Sequence, residues 1–214
     1  MPALLYPAVA PVLVLLWGVC VYAIIRRNEK LEQLEQPHTP FWLLALVGAA
    51  ASVALFLLPV PWNISVAIAT VGFGLAAYSD YKTGYLWDEA ILSTTLLCGA
   101  FMILGRQGGA SIAGGVLCGT LASLLYFAGL LFGKESGYGD VKLAAGIGFA
   151  LGPVGGVAAY VIGTLVMAFG VLVWAAVKKK SFSEARRTSV PFGPALTGGM
   201  LTVAAMLPFV ESFR

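Results

Sequence analysis

The chain has 214 residues, of which 59% are hydrophobic and only 11% charged, with a mean hydropathy of +0.90. That balance excludes a water-soluble domain, whose surface needs far more charge, and at about 20 apolar residues per helical span the length accommodates about eight spans. The small net charge of +3, with no basic patch interleaved with aromatics, argues against a nucleic-acid partner and for orientation in a lipid bilayer.

The first apolar run, residues 4–25, carries Arg26 and Arg27 after it. That is the wrong order for a cleavable signal, so it reads as a retained span. Residues 26–40 form a short polar linker in which Leu31 and Leu34 allow one short amphipathic helix, ended by Pro37 and Pro40. Span two covers 41–60, and a turn over 59–63 with Trp62 at interfacial depth leads into span three, which ends at Tyr78 and Asp80. Span four covers 90–104, and span five follows the link 105–111 and reaches Phe132. Span six begins at Asp140 or Val141 and is broken by Gly152-Pro153 and Gly155-Gly156; span seven covers 157–177. A polar loop, 181–189, precedes span eight, which ends near Val210. The expectation is an all-α polytopic membrane protein in which residues 1–214 form one membrane-embedded domain, with no internal repeat.

Positive charge orients the spans, because cytoplasmic loops hold the Lys and Arg. With both termini outside, the inside loops hold Arg26, Arg27, Lys30, Lys82, Lys134, Lys142, Lys178, Lys179, Lys180, Arg186 and Arg187, eleven of the thirteen, leaving only Arg106 and Arg214 outside. A re-entrant span six would force the charges from Lys178 to Arg187 outside, which favours eight crossings. Asp80, Asp88, Asp140 and residues 191–196 then all emerge at the cytoplasmic boundary.

Gly115 and Gly119, Gly148, Gly152 and Gly156, and Gly198 and Gly199 fall in small-x-x-x-small or paired patterns that suit close helix packing in lipid. Trp17, Trp42, Trp174 and Phe192 read as interface anchors or core. Cys20, Cys98 and Cys118 lie singly in apolar runs and His38 is the only histidine, so neither a metal site nor a disulfide framework is expected, and no cofactor.

Ionisable groups beside spans are expensive and are therefore functional candidates. Asp140 follows Gly137-Tyr138-Gly139, whose glycines free the backbone to take φ > 0 or to lie against a substrate. Asp140 also has a plainer reading, as the cap of a helix starting at Val141. A second acid at a matching place, Asp80, favours a pair. Two carboxylates sharing a proton provide one base for water and one acid for a peptide carbonyl. Asp88 is the rival partner, but a helical stretch from Asp80 would put it roughly 12 Å away; with Glu89 it also suits the start of span four.

Asp80, then Gly137-Tyr138-Gly139-Asp140-Val141-Lys142-Leu143, then Val190-Pro191-Phe192-Gly193-Pro194-Ala195-Leu196, in this order on one membrane side, resemble the type IV prepilin peptidases over about residues 60–210. The resemblance implies an intramembrane aspartyl endopeptidase of the cytoplasmic membrane, which removes the short basic leader of type IV prepilins, pseudopilins or archaellins. By that resemblance Asp80 and Asp140 are catalytic, and Gly137, Gly139, Lys142, Pro191, Phe192, Gly193, Pro194 and Asp88 support the motif or bind substrate. Two departures stand out. Residues 26–40 lack the four-cysteine zinc segment of the larger members that also methylate the new amino terminus, so cleavage without methylation is expected. Trp87 stands where many members have Pro. A presenilin-like or signal-peptide-peptidase-like protease shares G-x-G-D and Pro194-Ala195-Leu196, and a small proton-coupled transporter is the alternative from another class.

Overall fold

The computed structural model describes residues 6–32, 39–58, 62–131, 137–178 and 191–211, and among these all regular structure is helical. The seven helices are α1 (Tyr6–Leu31), α2 (Phe41–Leu57), α3 (Trp62–Thr83), α4 (Asp88–Leu104), α5 (Gly108–Leu131), α6 (Tyr138–Val177) and α7 (Gly193–Glu211). A chain this apolar has no water in the bilayer to satisfy its peptide groups, so each segment must bond internally. Four stretches are long and apolar enough to cross a membrane: Val9–Leu31, Trp62–Thr83, Gly108–Leu131 and Tyr138–Val177.

The first helix does not stop at Ile25. Residues 26–30 contain no breaker, and an Arg26–Glu29 ion pair at 3.5 Å crosses the join, so α1 runs on to Leu31 in place of a separate amphipathic helix. Leu34 and Pro37 lie outside the described residues.

A straight α6 of 40 residues would be about 60 Å long, twice the thickness of the hydrocarbon layer. It is instead a hairpin. Gly152 takes φ 71°, ψ −176°, a conformation essentially reserved for glycine. A Cβ built on Gly156 would sit 2.7 Å from the Gly148 Cα, although eight residues of straight helix span about 12 Å. The two limbs therefore lie side by side. The expected break is thus narrower than Gly152 to Gly156: Pro153 enters the first turn of the second limb, where its missing N–H costs nothing, and Gly155 and Gly156 are helical.

The glycine patterns do the packing expected of them. Gly114 of α5 meets the backbone of Gly148 and Gly152, Gly115 receives the Phe149 ring, and Gly119 faces the Ala145 Cβ at 3.2 Å. Gly199 of α7 lies on Ala159 and Gly163 of the second limb, whereas Gly198 faces open space. Cys98 and Cys118 are buried as small core groups, but Cys20 is exposed.

Helix α3 occupies the centre, against α1, α2, α4, α6 and α7, and is buried along most of its length. Its polar groups are matched between helices: the Ser65 hydroxyl donates to the Ala150 carbonyl at 3.4 Å and accommodates α6, while the Cys98 thiol of α4 donates to the Ser65 carbonyl at 3.3 Å. Enclosure on every side means that whatever α3 holds at its carboxy end is held rigidly.

The hairpin makes a direct prediction. Gly152→Ala forces an L-residue into strained backbone against the Trp62 ring and should cost about 1–3 kcal/mol, lowering the thermal midpoint of the detergent-solubilised protein. Gly170→Ala, in open space on the same helix, should leave the midpoint unchanged or raise it. Equal midpoints for the two variants would contradict a reversal at Gly152.

Candidate active site

The site assembles from one helix end and three helix beginnings. Asp80 lies in the last turn of α3 and is 6% exposed, inside the helix and not in a boundary segment after it. Gly84, with φ 74°, ends that helix and donates its N–H to the Asp80 carbonyl at 2.8 Å. The chain then folds back: the buried Trp87 indole N–H donates to Ser79 Oγ at 2.8 Å, and Tyr85 stacks on Trp87. This bond gives Trp87 a reason to stand where a proline is common. It also makes residues 84–87 a tight non-helical link, so the separation of Asp80 from Asp88 expected for a helix does not apply.

Asp140 is not a helix cap. The N-cap is Gly137, α6 begins at Tyr138, and Asp140 is the third residue of the first turn. Neither Gly137 nor Gly139 takes φ > 0. Gly137 has extended backbone and borders open space, while Gly139 is glycine because a Cβ there would lie 2.9 Å from the Leu86 Cβ. Asp88 likewise caps nothing: it is the first residue of α4 after Trp87, and its carboxylate pairs with Lys142 Nζ at 2.5 Å. Lys142 also lies over the Tyr138 ring, 5.4 Å from its centroid.

The third contribution comes from α7. The Gly193 N–H donates to Asp80 Oδ2 at 3.0 Å, and a Cβ on Gly193 would stand 2.8 Å from that oxygen. A helix amino end is positive, which suits a carboxylate. Pro194, in the first turn, has no N–H to leave unpaired, and Phe192 packs edge-on against Tyr160 at 6.3 Å.

A cavity of about 450 Å³ brings these parts together: Asp80, Asp88, Asp140, Gly137, Gly139, Pro191 and Phe192 all line it. Phe192 is therefore cavity wall and not an interface anchor. Lys142 and Pro194 do not line the cavity; they support Asp88 and the start of α7. Tyr81, Tyr85 and Leu86 also line it, and none of the three carried a sequence signal beyond its nearness to Asp80. Among the described residues no three His, Cys, Asp or Glu side chains come together as metal ligands. Two carboxylates line one cavity, one of them buried and held by an amide, an arrangement able to give and take protons at a shared reactant.

The model of the type IV leader peptidase family matches residues 67–174, half of the chain. This chain belongs to the type IV leader peptidase family. No curated protein and no solved structure matches it. The matched stretch contains Asp80, Asp88 and Asp140, while α7 with Gly193 lies beyond it and is joined to the site by the Gly193–Asp80 hydrogen bond. The protein is thus a peptidase with helices able to span a membrane.

The α7 contact predicts that Gly193→Ala, which must push Asp80 aside, lowers peptidase turnover by about 10²-fold, the cost of a misplacement near 1 Å. Gly198→Ala, in open space one turn later, should keep wild-type turnover. Turnover measured on purified protein decides it; unchanged activity of Gly193→Ala would remove α7 from the site.

Proposed function

We propose that the protein is an aspartyl endopeptidase of the cytoplasmic membrane that removes the short basic leader of type IV prepilins, pseudopilins or archaellins, with Asp80 and Asp140 as its catalytic pair. The observation that carries this reading is the convergence of the two acids, from the end of α3 and the start of α6, on one cavity. The ionised carboxylate takes a proton from water, the protonated one hydrogen-bonds to the scissile carbonyl, and the hydroxide equivalent adds to carbon. Collapse of the tetrahedral intermediate then breaks the C–N bond, and the proton on the first carboxyl passes to the departing amine. The chain's own side chains and backbone supply each group in this sequence, without a cofactor.

In this reading the two limbs of α6 each cross the bilayer, which together with the other six helices makes eight crossings and leaves both termini outside. One feature supports the cytoplasmic side and a second supports a site at the membrane boundary. Each acid is followed two residues later by a lysine, Lys82 and Lys142, at the membrane boundary, and the charge division favours the side that holds them. The aromatic rings of Tyr81, Tyr85 and Tyr138 are exposed around the cavity mouth, at a depth that suits a headgroup region.

Two measurements test this. Asp80→Asn and Asp140→Asn preserve shape but stop proton exchange, so each should lower cleavage of a prepilin by at least about 10³-fold, and the double variant should be little worse, because the two act as a unit. Asp88→Asn removes a solvent-exposed ion pair worth about 0–1 kcal/mol and should keep most activity. Full cleavage by stably inserted Asp80→Asn, or a loss at Asp88 equal to that at Asp140, would show that the wrong carboxylates have been paired. Sidedness is checked separately: single cysteines placed in 36–40 or 181–188 should react with an impermeant thiol reagent only from the cytoplasmic side. Labelling from outside would overturn the site's orientation.

A further inference from the structure

Leu86 bridges the two backbone segments that carry the acids. On one side, a Cβ at Gly139, the residue before Asp140, would lie 2.9 Å from the Leu86 Cβ and 3.2 Å from its Cδ1. On the other, a Cβ at Gly193, whose N–H holds Asp80, would lie 3.3 Å from Leu86 Cδ2. Each methyl of one isobutyl group thus enters one glycine notch, and the two notches belong to the two motifs that flank the site. We propose that Leu86 is a positioning residue for the reaction, setting the separation between the α6 and α7 amino ends and hence between Asp140 and Asp80.

The surroundings give the side chain a fixed base. Residue 86 sits between Gly84, which ends α3, and Trp87, which is bonded to Ser79, so its backbone is tied to the same helix that carries Asp80. Leu86 also lines a neighbouring cavity of about 400 Å³ that shares only Leu86 and Asp88 with the catalytic one. Its outer face therefore borders polar space at Asn28, Glu32 and Glu89, and its inner face borders the carboxylates. Shape explains the residue type. A γ-branched chain reaches both notches at once, alanine keeps only its Cβ against Gly139 and leaves the Gly193 notch empty, and a β-branched chain would put its fork at the carbon already closest to Gly139. Touching no reacting bond, Leu86 acts through the geometry of the acids, and a shift of about 1 Å there is worth about 10²-fold in rate.

The inference rests on the proteolytic reading above, and the test separates the two. Full-length protein in proteoliposomes is assayed for cleavage of a tagged prepilin, with kcat and KM determined for each variant and its thermal midpoint recorded. Leu86→Ala should lower kcat by about 10²-fold with KM held within about threefold, the pattern of a lost transition-state arrangement, and Leu86→Met, which conserves volume, should stay within about tenfold of wild type. Gly139→Ala should lose kcat through its contact with Leu86, so the same substitution in a Leu86→Gly background, which lacks the three atoms nearest the new methyl, should cost less than about threefold further. Gly139→Ala, which leaves Leu86 in place, keeps the test decisive even where Leu86→Ala fails to fold. A rise in KM at unchanged kcat, wild-type kinetics of Leu86→Ala or of Gly139→Ala, or additive losses when Leu86→Gly and Gly139→Ala are combined would overturn the role of Leu86. Wild-type protein that leaves the prepilin whole would overturn the proteolytic reading, and this inference with it.

Discussion

A carboxylate held almost out of water at the end of an enclosed helix is the constraint on which the rest of this structure depends. Moving an ionisable group away from water costs several kcal/mol unless polar partners replace the lost solvent. Asp80 receives one such partner, the Gly193 amide, and its other face opens to the cavity shared with Asp140. The demands then spread outward. Position 193 must be glycine, because any Cβ would occupy the space of the bond it donates across. Helix α7 must begin there, and Pro194 permits an immediate start. Helix α3 must be narrow enough for its neighbours to close around it, which its run of Ala and Gly allows: Gly72 lies directly beneath Thr94 of α4.

The same requirement accounts for the hairpin in α6. Its first limb delivers Asp140 at its amino end, and its second returns to pack on α7 through Gly163 and Gly199. A straight helix would carry Tyr160 about 30 Å from Asp140. Folded back, it puts Tyr160 against Phe192, the wall of the cavity. One glycine conformation at Gly152 therefore couples the element that supplies an acid to the element that holds the other acid in place.

Much of this was legible in the sequence because the bilayer leaves few choices. Apolar runs had to be helices, and acids at their ends had to be explained. The order Asp80, then Gly137-Tyr138-Gly139-Asp140, then Pro191-Phe192-Gly193-Pro194 identified the parts that do meet. What stayed hidden depends on pairwise distance, which periodicity does not encode. Gly137 and Gly139 look alike in the motif, yet only Gly139 is under steric compulsion, and the cause is a leucine 53 positions earlier. The link from Gly84 to Trp87 reads as part of a polar boundary, but a hydrogen bond between Trp87 and Ser79 folds it against α3 and brings Asp88 to the cavity. The continuation of α1 past Ile25 carries no apolar signal, so the sequence offers a separate amphipathic helix there instead. Charge ends only the apolar run, and the buried Glu29 carboxylate, which accepts from Thr39 Oγ1 at 2.5 Å, ties the continued helix to the entrance of α2.

The placement of Lys142 bears on how the acids work as a pair. A cation bound to either one would favour its charged form and oppose the sharing of a proton that general acid–base chemistry requires. Lys142 is only two residues from Asp140, but residues at that spacing do not face each other on a helix. It turns instead to Asp88 and to the Tyr138 ring. The other nearby lysine, Lys82, lies over the Tyr78 and Tyr81 rings and stands in the same i, i+2 relation to Asp80. In the proposed orientation the chain can therefore keep its acids beside the basic residues of the cytoplasmic boundary without either lysine neutralising them. A motif in which each acid is followed two residues later by a lysine satisfies membrane orientation and proton chemistry together, because the helical period directs the two side chains apart.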